Sequence, residues 1–152
     1  MKKLILVRYG EYDNGHLSES GIQTMILAAE KMKSIVHDQN ALIISAQIPR
    51  ATESAEVISK HLNIHPVQNF IELYAAEEDG VCLNIDMAMN VINSVGKEHD
   101  IVIAVTSREY IETLPNYILK SLGSKQTIET HLSRGEIIIL DYETKSVAFL
   151  RI

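Results

Sequence analysis

Residues 4–13 read LILVRYGEYD: four aliphatic residues in a row, then Arg8, Tyr9, Gly10 and Glu11. An unbroken aliphatic run next to Lys2 and Lys3, with no alternation of polar residues, is the pattern of a strand buried on both faces. Strands of that kind belong to largely parallel sheets with helices on either side. In such sheets ligands bind at the carboxyl ends of the strands, where the loops diverge. This strand delivers an arginine and a glycine to that end, with Glu11 just beyond, as the opening of a phosphate site would. The tyrosine between them is the unexpected residue.

Outward from this strand the chain alternates. Ile22, Met25, Ile26, Ala29 and Met32 recur at helical spacing after a serine-bearing start, and Ala41–Ser45 reads as a second strand. Ala51, Ala55, Ile58 and Leu62 mark one face of a second helix that Asn63 ends, and Val67–Phe70 is a short third strand. Ile85–Val95 reads as a helix stopped by Gly96, its methionines forming core, and DIVIAVTS, residues 100–107, as another fully buried strand. A last helix is expected over Ile111–Leu122, closed by Gly123. EIIILDY and VAFLRI, joined by the polar ETKS, form a hairpin. The expectation is a single domain over residues 1–152 of the α/β class: a three-layer α/β/α sandwich whose mostly parallel central sheet carries an antiparallel C-terminal hairpin.

Composition narrows the function. With 14 Lys and Arg against 20 Asp and Glu the net charge is -6, which argues against nucleic acid or an anionic membrane as partner, so any anion site must be local. One cysteine, Cys82, excludes an internal disulfide and reads as a core thiol. No secretory leader or membrane-length apolar run is present, so the cytoplasm is the expected compartment.

Three strand ends carry arginine: Arg8 after the first, Arg50 shortly after Ser45, and Arg108 after Thr106 and Ser107. Guanidinium forks match phosphate oxygens, and arginines at one rim make a clamp for a small phosphorylated ligand. His61 and His65 are four apart, but Asn63 and Pro66 end the helix between them and remove the metal-binding spacing. No metal or cofactor is expected. His37 and His99 lie in polar stretches, and His131 precedes the last hairpin. His16, close behind the first motif, is the only histidine placed to enter the arginine rim from a loop.

These motifs resemble the histidine phosphatase superfamily, the phosphoglycerate-mutase-like proteins, in its short branch similar to SixA. Arg8-Tyr9-Gly10-Glu11 stands where that family has Arg-His-Gly-Glu, and Leu17-Ser18-Glu19-Ser20-Gly21 matches its Leu-Thr/Ser-Glu-x-Gly. Arg50-Ala51-Thr52-Glu53-Ser54-Ala55-Glu56 matches Arg-Ala-x-x-Thr/Ser-Ala-Glu. The resemblance spans Lys3 to about Arg108 and implies that Arg8 and Arg50 grip a phosphoryl group.

The departures matter as much. The family's nucleophile is the histidine that Tyr9 replaces, and a phenol of ordinary pKa about 10 is a poor phosphoryl acceptor where an imidazole of about 6.5 is a good one. Its second histidine falls at Ser107 in one register and at Arg108 in the other. Glu72 stands near the position of the family's general acid. The resemblance therefore implies a catalytically degenerate domain that binds a phosphorylated small molecule or phosphoprotein in a regulatory role. The alternatives are a phosphatase or phosphotransferase working through Tyr9 or His16, and an interaction protein with a vestigial pocket.

Overall fold

The computed structural model describes residues 1–152. Six strands form one sheet: β1 (Lys3–Arg8), β4 (Ala41–Ala46), β5 (Gln68–Phe70), β6 (Ile101–Thr106), β7 (Ile137–Asp141) and β8 (Ser146–Leu150), in the order β5-β4-β6-β1-β7-β8. A small hairpin, β2 (Tyr12–Asp13) and β3 (His16–Leu17), stands outside it. β5, β4, β6 and β1 are parallel, whereas β7 runs antiparallel to β1, and β8 antiparallel to β7. The aliphatic runs identified in the sequence sit at the centre. Leu4–Val7 and all six residues of β6 are buried, each large aliphatic side chain contributing about 1.5–3 kcal/mol by leaving water.

The chain steps from β1 to β4 to β5 through α1 (Glu19–Val36) and α2 (Pro49–Leu62), then back to β6 and β7 through α3 (Ile85–Gly96) and α4 (Arg108–Ser121). The parallel crossovers through α1 and α2 run one way along the sheet and the one through α3 runs the other way, so right-handed connections put α3 on the face opposite α1 and α2, giving three layers. α1 begins at Ser18, whose hydroxyl accepts from the Gly21 amide at 3.1 Å, and α2 ends at Asn63 in the left-handed region.

Several sequence expectations need correction. α4 starts at Arg108, three residues before Ile111, because Ser107 already adopts the extended backbone that precedes a helix. Gly96 is not the stop of α3 but its last residue, with the Met1 side chain packed against it. Of the methionines in α3, Met89 is buried and Met87 exposed. Cys82 is exposed rather than a core thiol, since the segment between the 3-10 turn Glu77–Asp79 and α3 runs over the surface.

Candidate functional site

The pairing of β1 with β6 puts Arg8 opposite Thr106, so Tyr9 and Ser107, each one residue further on, lie side by side at the carboxyl edge of the sheet. Next to them stands the first turn of α2, carrying Arg50. Ser54, one turn on, links the two: its hydroxyl donates to the Arg50 carbonyl at 2.7 Å and accepts from the Gly10 amide at 3.2 Å. The serine four residues after Arg50 thus fixes the arginine-bearing turn of α2 to the loop after β1.

That loop is also pressed against the start of α1. A methyl group at Gly10 would lie 2.8 Å from the Gly21 carbonyl, and one at Gly21 would meet the Glu11 backbone, so two glycines are needed where the segments cross. The Glu11 carbonyl accepts from both the amide and the hydroxyl of Ser18, which holds the crossing in place.

Arg8 is half-buried and donates from Nη1 to the Leu132 carbonyl at 2.7 Å, while its Nε is buried without a partner. Burial lowers its pKa, and the neighbouring Arg134 and Arg108 add to that; an arginine still remains a cation under any ordinary condition. Arg50 donates from Nη2 to the Tyr74 hydroxyl at 3.4 Å, and its Nε too is buried without a partner. Buried donors left without a partner are uncommon and costly, and two of them sit on the arginines around Tyr9.

Tyr9 is only 8% exposed and packs into the core, with its ring 5.1 Å below the Arg50 Cζ. Ser107 is 1% exposed, and its hydroxyl accepts from the Ala75 amide at 3.3 Å. With Thr106, which donates to the Leu73 carbonyl at 2.6 Å, it ties down the segment after β5.

The remaining expected residues are placed less centrally. Arg108, 56% exposed, leans toward Glu112 at 3.8 Å and Glu109 at 4.0 Å on its own helix. Glu72 lies in the 3-10 turn Ile71–Leu73, where its charge adds to burial in raising the pKa of the Tyr110 phenol. His16, on β3, bonds through Nδ1 to Glu53 at 2.6 Å and is 66% exposed; the other Glu53 oxygen accepts from the Leu17 amide at 2.6 Å. Burial opposes ionisation of Glu53, but the His16 and Leu17 hydrogen bonds outweigh it and keep its pKa below the ordinary value. The dyad borders a depression of about 380 Å³ with Gln47, Ile48, Pro49 and Thr52, on a different side of α2 from Arg50. His61 bonds to Glu30, His65 to Ser59 and His99 to the Val95 carbonyl, while His37 and His131 are exposed.

Three residues of the cluster have no counterpart in the sequence reading. Arg134, 25% exposed, reaches Glu11 at 3.0 Å from the turn before β7, which is joined to β1 by the Gly135 amide donating to the Arg8 carbonyl at 2.9 Å. Tyr12 and Tyr74 converge on Arg50 from the β2–β3 hairpin and from the segment after β5.

No protein-family model matches the sequence, and no curated protein sequence matches it. Its structure, however, is similar over almost its whole length to solved phosphatases. The protein histidine phosphatase SixA complexed with tungstate has a TM-score of 0.72 at 15% identity, over 98% of this chain and 94% of that one. A phosphoserine phosphatase variant from Entamoeba histolytica in complex with phosphoserine gives 0.65 at 17%, over 99% and 96%. Mycobacterial glucosyl-3-phosphoglycerate phosphatase gives 0.64 at 14%, over 99% and 96%. Likeness at such low identity speaks to architecture, and the architecture is clear: this chain has the fold of the histidine phosphatases.

Proposed function

We propose that this protein binds the phosphoryl group of a small molecule or a phosphorylated protein between Arg8 and Arg50, without transferring it, and acts in a regulatory role. The observation that carries this reading is the pair of buried, partnerless Nε donors on two guanidiniums that flank Tyr9 at the carboxyl edge of the sheet. Arg134 and Arg108 add positive charge around Arg8, which strengthens attraction for a dianion. The histidine phosphatase fold and the resemblance of the arginine motifs support the choice of a phosphoryl group over other anions. Tyr9 and Ser107 provide no imidazole to accept it, so the ligand leaves unchanged.

A second reading, an enzyme using His16, draws support from the grip of Glu53 on Nδ1, which would leave Nε2 as the basic nitrogen. An interaction protein with a vestigial pocket is the third, with the Tyr9 ring filling the site. Thermal unfolding with inorganic phosphate separates them. A ligand that binds only the folded state at about a hundred times its Kd stabilises by about 2.7 kcal/mol. The wild type should show such a rise, and Arg8→Ala and Arg50→Ala should each abolish it. A wild type indifferent to phosphate supports the vestigial pocket, and turnover of a phosphomonoester that is lost in His16→Ala supports the enzyme.

A further inference from the structure

We propose that Tyr9, Tyr12 and Tyr74 form an aromatic cage that fixes the plane of Arg50, whose Nη2 is taken by Tyr74, so that its unpartnered Nε–H is left for an oxyanion, which makes Tyr9 a positioning residue of the anion site. The proposal rests on the phosphate-binding reading above. The Arg50 Cζ lies 5.1 Å from the ring centre of Tyr9, 4.5 Å from that of Tyr12 and 5.7 Å from that of Tyr74. All three are within the roughly 6 Å over which a ring attracts a cation. Tyr9 and Tyr12 lie on the stretch that follows β1, Tyr74 follows the turn Ile71–Leu73 and Arg50 sits in α2, so the cage exists only in the folded chain.

Each wall is itself secured. Tyr9 and Tyr12 meet edge to face with centres 5.8 Å apart. Tyr12 carries a second guanidinium, that of Arg134, at 4.5 Å, and Arg134 is held by Glu11 at 3.0 Å. Tyr74 donates to Asp79 at 2.8 Å while accepting from Arg50. Burial and the Asp79 hydrogen bond both raise the Tyr74 pKa, so it remains a neutral phenol.

A guanidinium bounded by aromatic rings offers only its in-plane N–H groups to an oxyanion, and of these the Arg50 Nε–H has no partner while Nη2 is spent on Tyr74. The cage also removes rotamer freedom before the ligand arrives. An arginine side chain carries up to about 2 kcal/mol of such freedom, and an unrestrained Arg50 would lose it on binding. Tyr9 therefore has a use other than nucleophilic attack. Its ring face is what Arg50 needs, and phenylalanine should supply that face equally well.

Inorganic phosphate titrated into the wild type, Tyr9→Phe, Tyr9→Leu and Tyr12→Leu tests this, with the order of the Arg50 Nε–H measured by 15N relaxation in each protein without phosphate. Tyr9→Phe should bind within about twofold of wild type and keep Arg50 ordered. Tyr9→Leu and Tyr12→Leu should each weaken binding about tenfold, the scale of one lost cation–π contact, and loosen Arg50. Absence of phosphate binding by the wild type refutes the anion site itself. An affinity loss that phenylalanine fails to prevent, or an Arg50 equally ordered in wild type and both leucine variants, refutes the cage alone.

Discussion

Gly21→Ala should destabilise the protein, although the same change inside an ordinary helix is favourable by about 1 kcal/mol. Gly21 is the third residue of α1, and a methyl group there would lie 2.7 Å from Leu17 Cδ1 and 3.0 Å from the Glu11 amide nitrogen, with the Glu11 carbonyl oxygen closer still. Leu17 can shift, but the Glu11 backbone cannot shift cheaply, because its carbonyl receives the Ser18 amide at 2.9 Å and the Ser18 hydroxyl at 3.0 Å. Overpacking against fixed atoms costs about 1–3 kcal/mol and sometimes more, and at this crossing the upper part of that range applies. Set against the helix gain, the net loss is about 2 kcal/mol, equivalent to roughly 4–8 °C in melting temperature for a chain of this size. Urea unfolding with an unchanged slope measures it. The damage should reach the proposed anion site, since the displaced backbone carries Arg8 and Gly10; phosphate binding should fall further than in an equally destabilised variant of α3. A Gly21→Ala protein as stable as wild type would refute the tight crossing and its role in placing Arg8.

The Lys3 ammonium, 2.8 Å from Asp141, acts first, and the Thr144 amide second, to hold the Asp141 carboxyl down at about 2, below its ordinary 3.8. The folded state therefore favours the ionised form. This contribution is complete above about pH 5 and is lost progressively as pH falls through 2, and after allowance for solvent screening it amounts to roughly 1.5 kcal/mol. Asp141→Asn should flatten that part of the stability profile, and an unchanged acid limb in the variant would contradict the assignment. At the site, Tyr9→His alone should remain nearly inert, whereas Tyr9→His with Ser107→His should form acid-labile phosphohistidine from a reactive phosphodonor, beyond the sum of the single changes. Arg108→His in place of Ser107→His should be less effective, because Ser107 is the residue beside Tyr9 in the β1–β6 register. Folded double variants that take up no phosphate would mean that the arginine geometry does not support transfer.

The fold was legible wherever burial is two-sided. Leu4–Val7 and Ile101–Val105 are continuous aliphatic runs because no residue in them faces water, and that signal is hard to mistake. The start of α4 was hidden because Arg108 and Glu109 precede the first apolar residue of the helix face, so apolar periodicity alone begins too late. Cys82 was misjudged by the general tendency of cysteine to be buried, which says nothing about a surface segment. Arg8 and Arg50 were visible because each sits in a local motif beside its strand. Arg134 was not, being joined to Arg8 only through the Gly135 amide, and Tyr12 and Tyr74 gave no sequence signal that they close on Arg50. A serine-arginine-glycine turn directly before an aliphatic strand could have drawn attention to residues 133–135, since a turn at a strand end is where a further cation would be supplied.

Binding without transfer can be read in one sample by 31P NMR. Inorganic phosphate should broaden or shift on addition of the wild-type protein and remain sharp with Arg8→Ala or Arg50→Ala. A phosphomonoester incubated with the wild type should be perturbed in the same way, while no new inorganic phosphate signal grows above the protein-free rate between pH 5 and 8. A phosphate resonance unaffected by the wild type, or steady release of inorganic phosphate that disappears in Tyr9→Phe, would contradict the account.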